Sequence, residues 1–214
     1  MKKVICAIMS IMILLGYACA ETVTAELWQH EAGWISFSVA LAQDSMKEVW
    51  EASAKRFGAN IGMDNLTGEQ LKMMSMRGYS MENGVDELKV EGNRFSGKLK
   101  DGTELFNCEY SLVEVLEEDQ ILGGVKVYVF KADSEDVKEY TYLLMTEPLK
   151  TEKENVSYVT FNLLHTQNSA YRALFSSNGN GSAILPCTMI ERDTGTEGLT
   201  YVIERLYSQS IPTR

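Results

Sequence analysis

Histidine is the scarcest chemistry-bearing residue in this chain of 214 residues: only His30 and His165 occur. Nucleophilic sites of the Ser-His-acid or Cys-His kind need an imidazole within hydrogen-bond reach of the nucleophile. No G-x-S-x-G turn is present either, so no enzymatic activity is expected. The H-x-H, H-E-x-x-H and C-x-x-C spacings of strong zinc sites are also missing. Proline is rare, with three in the chain, and no Pro-rich linker, repeat or low-complexity tract divides it. The longest apolar run, Val4 to Leu15, falls short of the ~20 residues that span a bilayer, so no transmembrane segment is expected. Positive charge is in deficit, with 20 basic against 30 acidic residues. A surface of that sign repels nucleic acid and anionic lipid.

The short apolar run has a use of its own. Lys2 and Lys3 precede it, and Ala18-Cys19-Ala20 follows with the small-x-small pattern of a cleavage site. Residues 1–20 therefore read as a secretory signal peptide cut after Ala20, and the protein is expected outside the cytoplasm. Gly16-Tyr17-Ala18 matches poorly the residues that precede a lipidated cysteine, so lipidation at Cys19 is not expected. Removing 20 of the 214 residues leaves 194 and takes away two lysines, which moves the net charge from −10 to −12. That length suits one domain with a real core. Of the four cysteines, Cys6 and Cys19 go with the leader. Cys108 and Cys187 remain, and a disulfide between them or two buried thiols fit the sequence equally.

Residues 21–32 lack a period and read as a flexible lead-in, with Leu27 and Trp28 as anchors and His30 exposed. Residues 33–214 then read as a single domain. Alternation from Gly33 to Leu41 suggests an extended segment. Ser45-x-x-Glu48 forms a capping-box pattern ahead of an amphipathic helix through Met46, Val49, Trp50, Ala54 and Phe57, closed by Gly58. Thr67-x-x-Gln70 opens a second helix, with Met73, Met74 and Met76 as core filler. From Asp86 the period changes to two. Strands are expected near 86–90, 95–100, 103–110, 112–116 and 125–130, with a two-residue Asp101-Gly102 turn. Two more, Glu139–Thr146 and Val156–His165, are separated by a charged turn, Glu147–Asn155. A short helix at 168–175, a glycine-rich loop at 176–182 and a capped helix from Thr194-x-x-Glu197 complete the chain. The order implies a mainly β fold with flanking helices, in the form of an antiparallel barrel whose closure removes exposed edges.

Several stretches carry a family resemblance. Met46-Lys-Glu-Val-Trp-Glu-Ala-Ser-Ala-Lys55, Thr67-Gly-Glu-Gln-Leu-Lys72, Arg77-Gly-Tyr79 and Val85-Asp-Glu-Leu-Lys-Val-Glu-Gly92 follow one another as they do in the ZinT (YodA) family of extracytoplasmic zinc-binding proteins. Cys108-Glu-Tyr110, Gly124-Val-Lys-Val-Tyr-Val-Phe130, Tyr140 and Tyr201-Val-Ile-Glu-Arg205 continue the match. The chain therefore resembles that family over nearly all of its mature length. The resemblance implies a calycin-like (lipocalin-like) β-barrel and a role in binding or delivering zinc. It also implies a metal site with an Asp-His pair ending the first of the two late strands and a His-x-His on the second. The matching positions here are Met145 and Thr146, then Asn155 and Ser157 (or Ser157–Val159), and none offers an imidazole. His165 is the remaining histidine candidate, but ten residues of strand beyond Asn155 amount to ~33 Å. Two readings follow. In one, zinc is held through carboxylates or His165, or handled with a protein partner. In the other, Met145, Val156 and Val159 mark a lost metal site, and the barrel binds a small apolar molecule or a protein.

Overall fold

Period-two alternation from residue 86 onward builds a closed barrel. The computed structural model describes residues 25–76, 84–117, 125–174 and 187–208. Residues 1–20, expected as a signal peptide, Arg77–Tyr79 and the loop at 176–182 lie outside them. Nine strands are present among the described residues: β1 (Trp34–Ser36), β2 (Glu87–Glu91), β3 (Arg94–Lys98), β4 (Glu104–Leu116), β5 (Val127–Ala132), β6 (Tyr142–Thr146), β7 (Leu149–Lys153), β8 (Val156–Thr166) and β9 (Cys187–Glu191). All pairings are antiparallel, in the order β6-β5-β4-β3-β2-β1-β9-β8-β7, and β6 also pairs with β8. That last pairing closes eight strands into a calycin-like barrel and leaves β7 as an extra strand beside β8.

The barrel is filled by its own side chains. Trp28, Phe95, Tyr110, Phe130, Leu143, Met145, Phe161 and Met189 face one another inside and are fully or almost fully buried. Trp28 meets Tyr128 edge-on at 5.1 Å and Phe130 at 5.5 Å, and Phe95 stacks on Tyr110 at 5.2 Å, arrangements the ring quadrupole favours. The Tyr110 hydroxyl satisfies itself by donating to the Tyr140 carbonyl at 2.7 Å. A second core lies outside the wall. There α1 (Phe37–Ala40), α2 (Lys47–Ile61), α3 (Gly68–Met76) and α4 (Thr196–Ser208) cover Ile35, Tyr158 and Ile190 with Phe37, Trp50, Leu71, Val202 and Ile203.

Several local expectations are corrected. The extended segment after Gly33 stops at Ser36, whose side-chain oxygen accepts from Val39 N–H at 3.3 Å and starts α1. Ser45 does not cap α2; a 3-10 turn, Asp44–Met46, leads into it, and the Ser45 hydroxyl turns to Gln43. Helix α2 runs past Gly58 to Ile61 and ends at Gly62, which takes the left-handed conformation with φ 73. Gly58 serves packing instead, since a Cβ there would lie 2.4 Å from the Met63 carbonyl oxygen. The Thr67–Gln70 box forms as expected, with reciprocal bonds of 3.2 and 2.9 Å. The Thr194 box does not, because the Thr194 hydroxyl is buried without a partner. Of the three methionines on α3 only Met76 is core; Met73 and Met74 face solvent. The turn between β3 and β4 is a three-residue loop, 100–102, between Leu99 and Thr103, with φ 89 at Gly102 alone. Residues 104–116 form one bulged strand rather than two.

The largest correction concerns the late pair of strands. The charged stretch 147–155 is itself mostly strand. Between Met145↔Leu163 and Leu149↔Thr160 the register shifts by one residue, so β6 and β7 run as one bulged arm against β8. The turn is only Glu154-Asn155, with φ 52 at Glu154. The lead-in differs as well: from Ala25 on it packs against the barrel, and Trp28 is its innermost residue.

Candidate metal centre at the barrel mouth

One mouth of the barrel lies where β1, β3 and β5 begin and β2, β6 and β9 end. Residues 25–33 hook over it. Trp28 enters the interior and donates its indole N–H to the Thr146 carbonyl at 3.0 Å. Trp34 donates to the Trp28 carbonyl at 2.7 Å, which ties the hook to the start of β1. Gly33 makes the bend: its φ is 74, and a Cβ would lie 3.1 Å from the Leu88 carbonyl oxygen. Its N–H donates to the His30 carbonyl at 3.0 Å, and its carbonyl accepts from Arg192 N–H at 3.0 Å.

This bend sets His30 against the end of β9. The His30 ring leans on Trp34 with centroids 5.6 Å apart. Across β1 and β9, Trp34 pairs with Glu191. The chain then turns, with Thr194 N–H donating to the Glu191 carbonyl at 3.1 Å, so that Asp193 comes back toward the same place. His30 Nε2 lies 3.4 Å from Glu191 Oε1 and 3.7 Å from Asp193 Oδ1. One donor atom from each of the three residues lies within 4.8 Å of the others. The other Glu191 oxygen, Oε2, accepts from Val159 N–H at 3.1 Å, which fixes the carboxylate against β8. His30 and Glu191 are half-buried and Asp193 is exposed, so the cluster opens to solvent on one side.

Two kinds of contact bear on these distances. A charge-assisted N–H···O bond between imidazolium and carboxylate closes to ~2.7–2.9 Å. Two ligand atoms at ~2.0–2.1 Å from a tetrahedral zinc ion stand ~3.3–3.4 Å apart. The His30–Glu191 separation lies near the second figure and also suits a loose ion pair, and Asp193 lies farther off. His30 Nδ1 is buried without a partner. Metal-binding histidines usually donate that N–H to an acceptor, and losing such a partner costs ~10–100-fold in affinity. The three side chains form a cluster that could hold a metal ion, open to solvent at Asp193.

The positions marked by the family resemblance lie elsewhere. Met145 is completely buried in the interior cluster. Thr146 is also buried; its carbonyl is taken by Trp28, and its hydroxyl accepts from Asn162 N–H at 2.9 Å. Asn155 is in the hairpin turn, and Ser157 is exposed opposite Glu152. Ser157 is six residues along β8 from Leu163, the partner of Met145, or ~20 Å of strand. The structure therefore does not bring these four together. His165 sits opposite Leu143 toward the other end of the barrel, with Nδ1 3.2 Å from the Glu139 carbonyl and its ring 4.5 Å from Tyr140. Glu147, next to Thr146, is engaged by the Tyr128 hydroxyl, which donates at 2.6 Å. Burial and then that carboxylate raise the pKa of Tyr128 well above the usual tyrosine range.

Cys108 and Cys187 are both free thiols, so the candidate disulfide is not formed. Cys187 is buried on β9 and donates weakly to the Val85 carbonyl at 3.7 Å. Burial, with a smaller push from Asp86, raises its pKa to about 12. Cys108 sits half-buried on β4 opposite Phe95, and burial raises its pKa too. His30, Glu191 and Asp193 were not singled out by sequence patterns. The one signal was His30 lying between two tryptophans, Trp28 and Trp34, in a stretch otherwise taken as a lead-in.

No protein-family model matches the chain, and no curated protein matches it significantly. Among solved structures, the Zn(II)-bound ZinT-like domain of Streptococcus pneumoniae AdcA is similar at 16% identity and a TM-score of 0.49, covering 84% of this chain and 88% of that domain. The Zn(II)-bound AdcA of the same organism is similar at 15% identity and a TM-score of 0.49, over 84% of this chain and 34% of AdcA. The chain thus spans about a third of the length of AdcA. The closed calycin-like barrel with flanking helices rests on this chain's own strand pairing.

Proposed function

We propose that this chain is a secreted ZinT-like barrel that binds a divalent transition-metal ion, zinc first, at its mouth. The ligands are His30 Nε2 and the carboxylates of Glu191 and Asp193, in place of histidines on the late strands. The observation that carries the reading is the convergence of these three side chains, each offering one ligand atom within 4.8 Å of the others. One imidazole and two carboxylates suit zinc and its first-row neighbours and disfavour soft monovalent copper. The ion is cargo here: a site open to solvent on one side takes up and releases metal more readily than a closed structural site. The filled barrel interior favours this over the reading of an apolar small molecule held in a cup. Secretion is part of the proposal and rests on the leader sequence; N-terminal sequencing of the exported protein should find Glu21 first.

Calorimetric titration of the mature protein with zinc chloride tests the binding. One ion per chain is expected, in the micromolar range. His30→Ala should weaken it at least ~100-fold, the size of effect that even an outer-shell partner can have. Asp193→Asn, at an exposed position, removes one ligand without touching the fold and should also weaken binding. Absence of zinc heat in the wild type, or binding unchanged in both variants, would overturn the assignment.

A further inference from the structure

The extra strand β7 has a second edge. It pairs with β8 on one side, and among the described residues no strand lies on the other. The backbone groups on that edge belong to Lys150 and Glu152. The two-residue turn at Glu154-Asn155 makes Lys153↔Val156 a hydrogen-bonded pair, and the alternation of an antiparallel ladder then bonds Thr151 and Leu149 inward as well. An independent contact supports this phase: Val159, the partner of Lys150, sends its N–H toward Glu191 and away from β7.

We propose that β7 pairs with β7 of a second copy of this chain, antiparallel and centred on Thr151. In that register Lys150 of each copy faces Glu152 of the other, and each such pair exchanges two backbone bonds through the groups that point outward. Lysines on an edge strand normally discourage pairing, because like charges meet. Here the order Lys150-Thr151-Glu152 is self-complementary when reversed, so opposite charges meet. Within one chain Lys150 Nζ lies 2.5 Å from Glu152 Oε1, so both side chains stand on one face of the strand. Doubling the strand sets four alternating charges side by side on that face. The two Thr151 residues then form the close, non-hydrogen-bonded pair on the symmetry axis, and threonine pairs are among the favourable cross-strand neighbours. The contact is isologous and closes at two copies. It is far smaller than a standard stable interface, so the dimer is weak and exchanges rapidly.

Sedimentation equilibrium of the mature protein, from micromolar to millimolar concentration, tests this with a set of charge variants. The wild type should show reversible dimerisation that weakens with added salt. Lys150→Glu should abolish it by facing two glutamates with two more, and Glu152→Lys should abolish it with lysines. An equimolar mixture of those two variants should form a heterodimer, and the double variant K150E/E152K should dimerise again. Both residues are exposed, and circular dichroism checks that each variant keeps its fold. A wild type that stays monomeric at millimolar concentration overturns the proposal. So does a dimer that survives either single reversal, or a mixture of the two that fails to associate.

Discussion

Truncating Trp28 is the most informative perturbation of the fold, because two accounts of residues 25–32 give opposite answers. A flexible lead-in would tolerate Trp28→Ala at almost no cost. In the structure Trp28 has no exposed surface, touches Tyr128, Phe130 and Phe161, and holds the Thr146 carbonyl with its indole N–H. Removing a buried aromatic side chain costs ~3–5 kcal/mol through lost transfer energy and the cavity left behind. Leaving the Thr146 oxygen without its donor adds ~1–3 kcal/mol, less if water enters the gap. The sum, ~4–8 kcal/mol, is comparable with the whole stability of a marginal domain, ~5–15 kcal/mol. Trp28→Phe keeps most of the ring contacts and deletes the donor, so ~2–3 kcal/mol is expected. Urea denaturation followed by circular dichroism reads both, while Trp34 and Trp50 remain as fluorescence probes. A Trp28→Ala variant within ~1 kcal/mol of the wild type would refute the claim that this segment plugs the barrel, since surface changes lie within ~0.5 kcal/mol.

Other expectations follow from single contacts. Gly68→Ala opposes two effects at the start of α3: alanine is favoured over glycine in helices by up to ~1 kcal/mol, but a Cβ would lie 2.7 Å from Glu51 N and 2.8 Å from the Trp50 carbonyl carbon. Both neighbours are backbone of α2, so the clash should win and lower stability by ~1–2 kcal/mol in denaturant titration. Cys187 should resist alkylation in the native protein, and the denatured, unreduced protein without residues 1–20 should yield two free thiols, one from each of Cys108 and Cys187. Because its folded pKa is raised from about 9 to about 12, the neutral Cys187 thiol supports the fold below pH 9. That support should disappear as pH rises toward 12, and Cys187→Ala should flatten this part of the alkaline stability profile.

The barrel wall was legible because its strands alternate between a packed interior and an outer face, and a period of two survives in the sequence wherever both environments exist. Strand β7 was not legible for the same reason. It stands beside β8 with neither face buried, so Leu149–Lys153 carries charge at most positions and reads as a turn. The two glycines of α2 show a different limit. Gly58 and Gly62 have the same local signature, and only the close approach of Met63 to Gly58 tells a packing glycine from the one that ends the helix. The candidate metal centre left little trace. Its ligands come from a hook before β1 and a turn after β9, joined by strand pairing and a tryptophan contact, and no short spacing in sequence encodes that meeting. Thr146, one of the positions marked by the resemblance, lies at the same mouth, because Trp28 ties that residue to the hook that carries His30.

Zinc K-edge X-ray absorption on the mature protein loaded with one equivalent of zinc tests the central claim most directly. The account expects a first shell of nitrogen and oxygen at ~2.0–2.1 Å, with the outer-shell signature of a single imidazole that His30→Ala removes and His165→Ala leaves in place. A sulfur shell at ~2.3 Å, two imidazoles, or an imidazole signal lost with His165 instead of His30 would contradict it.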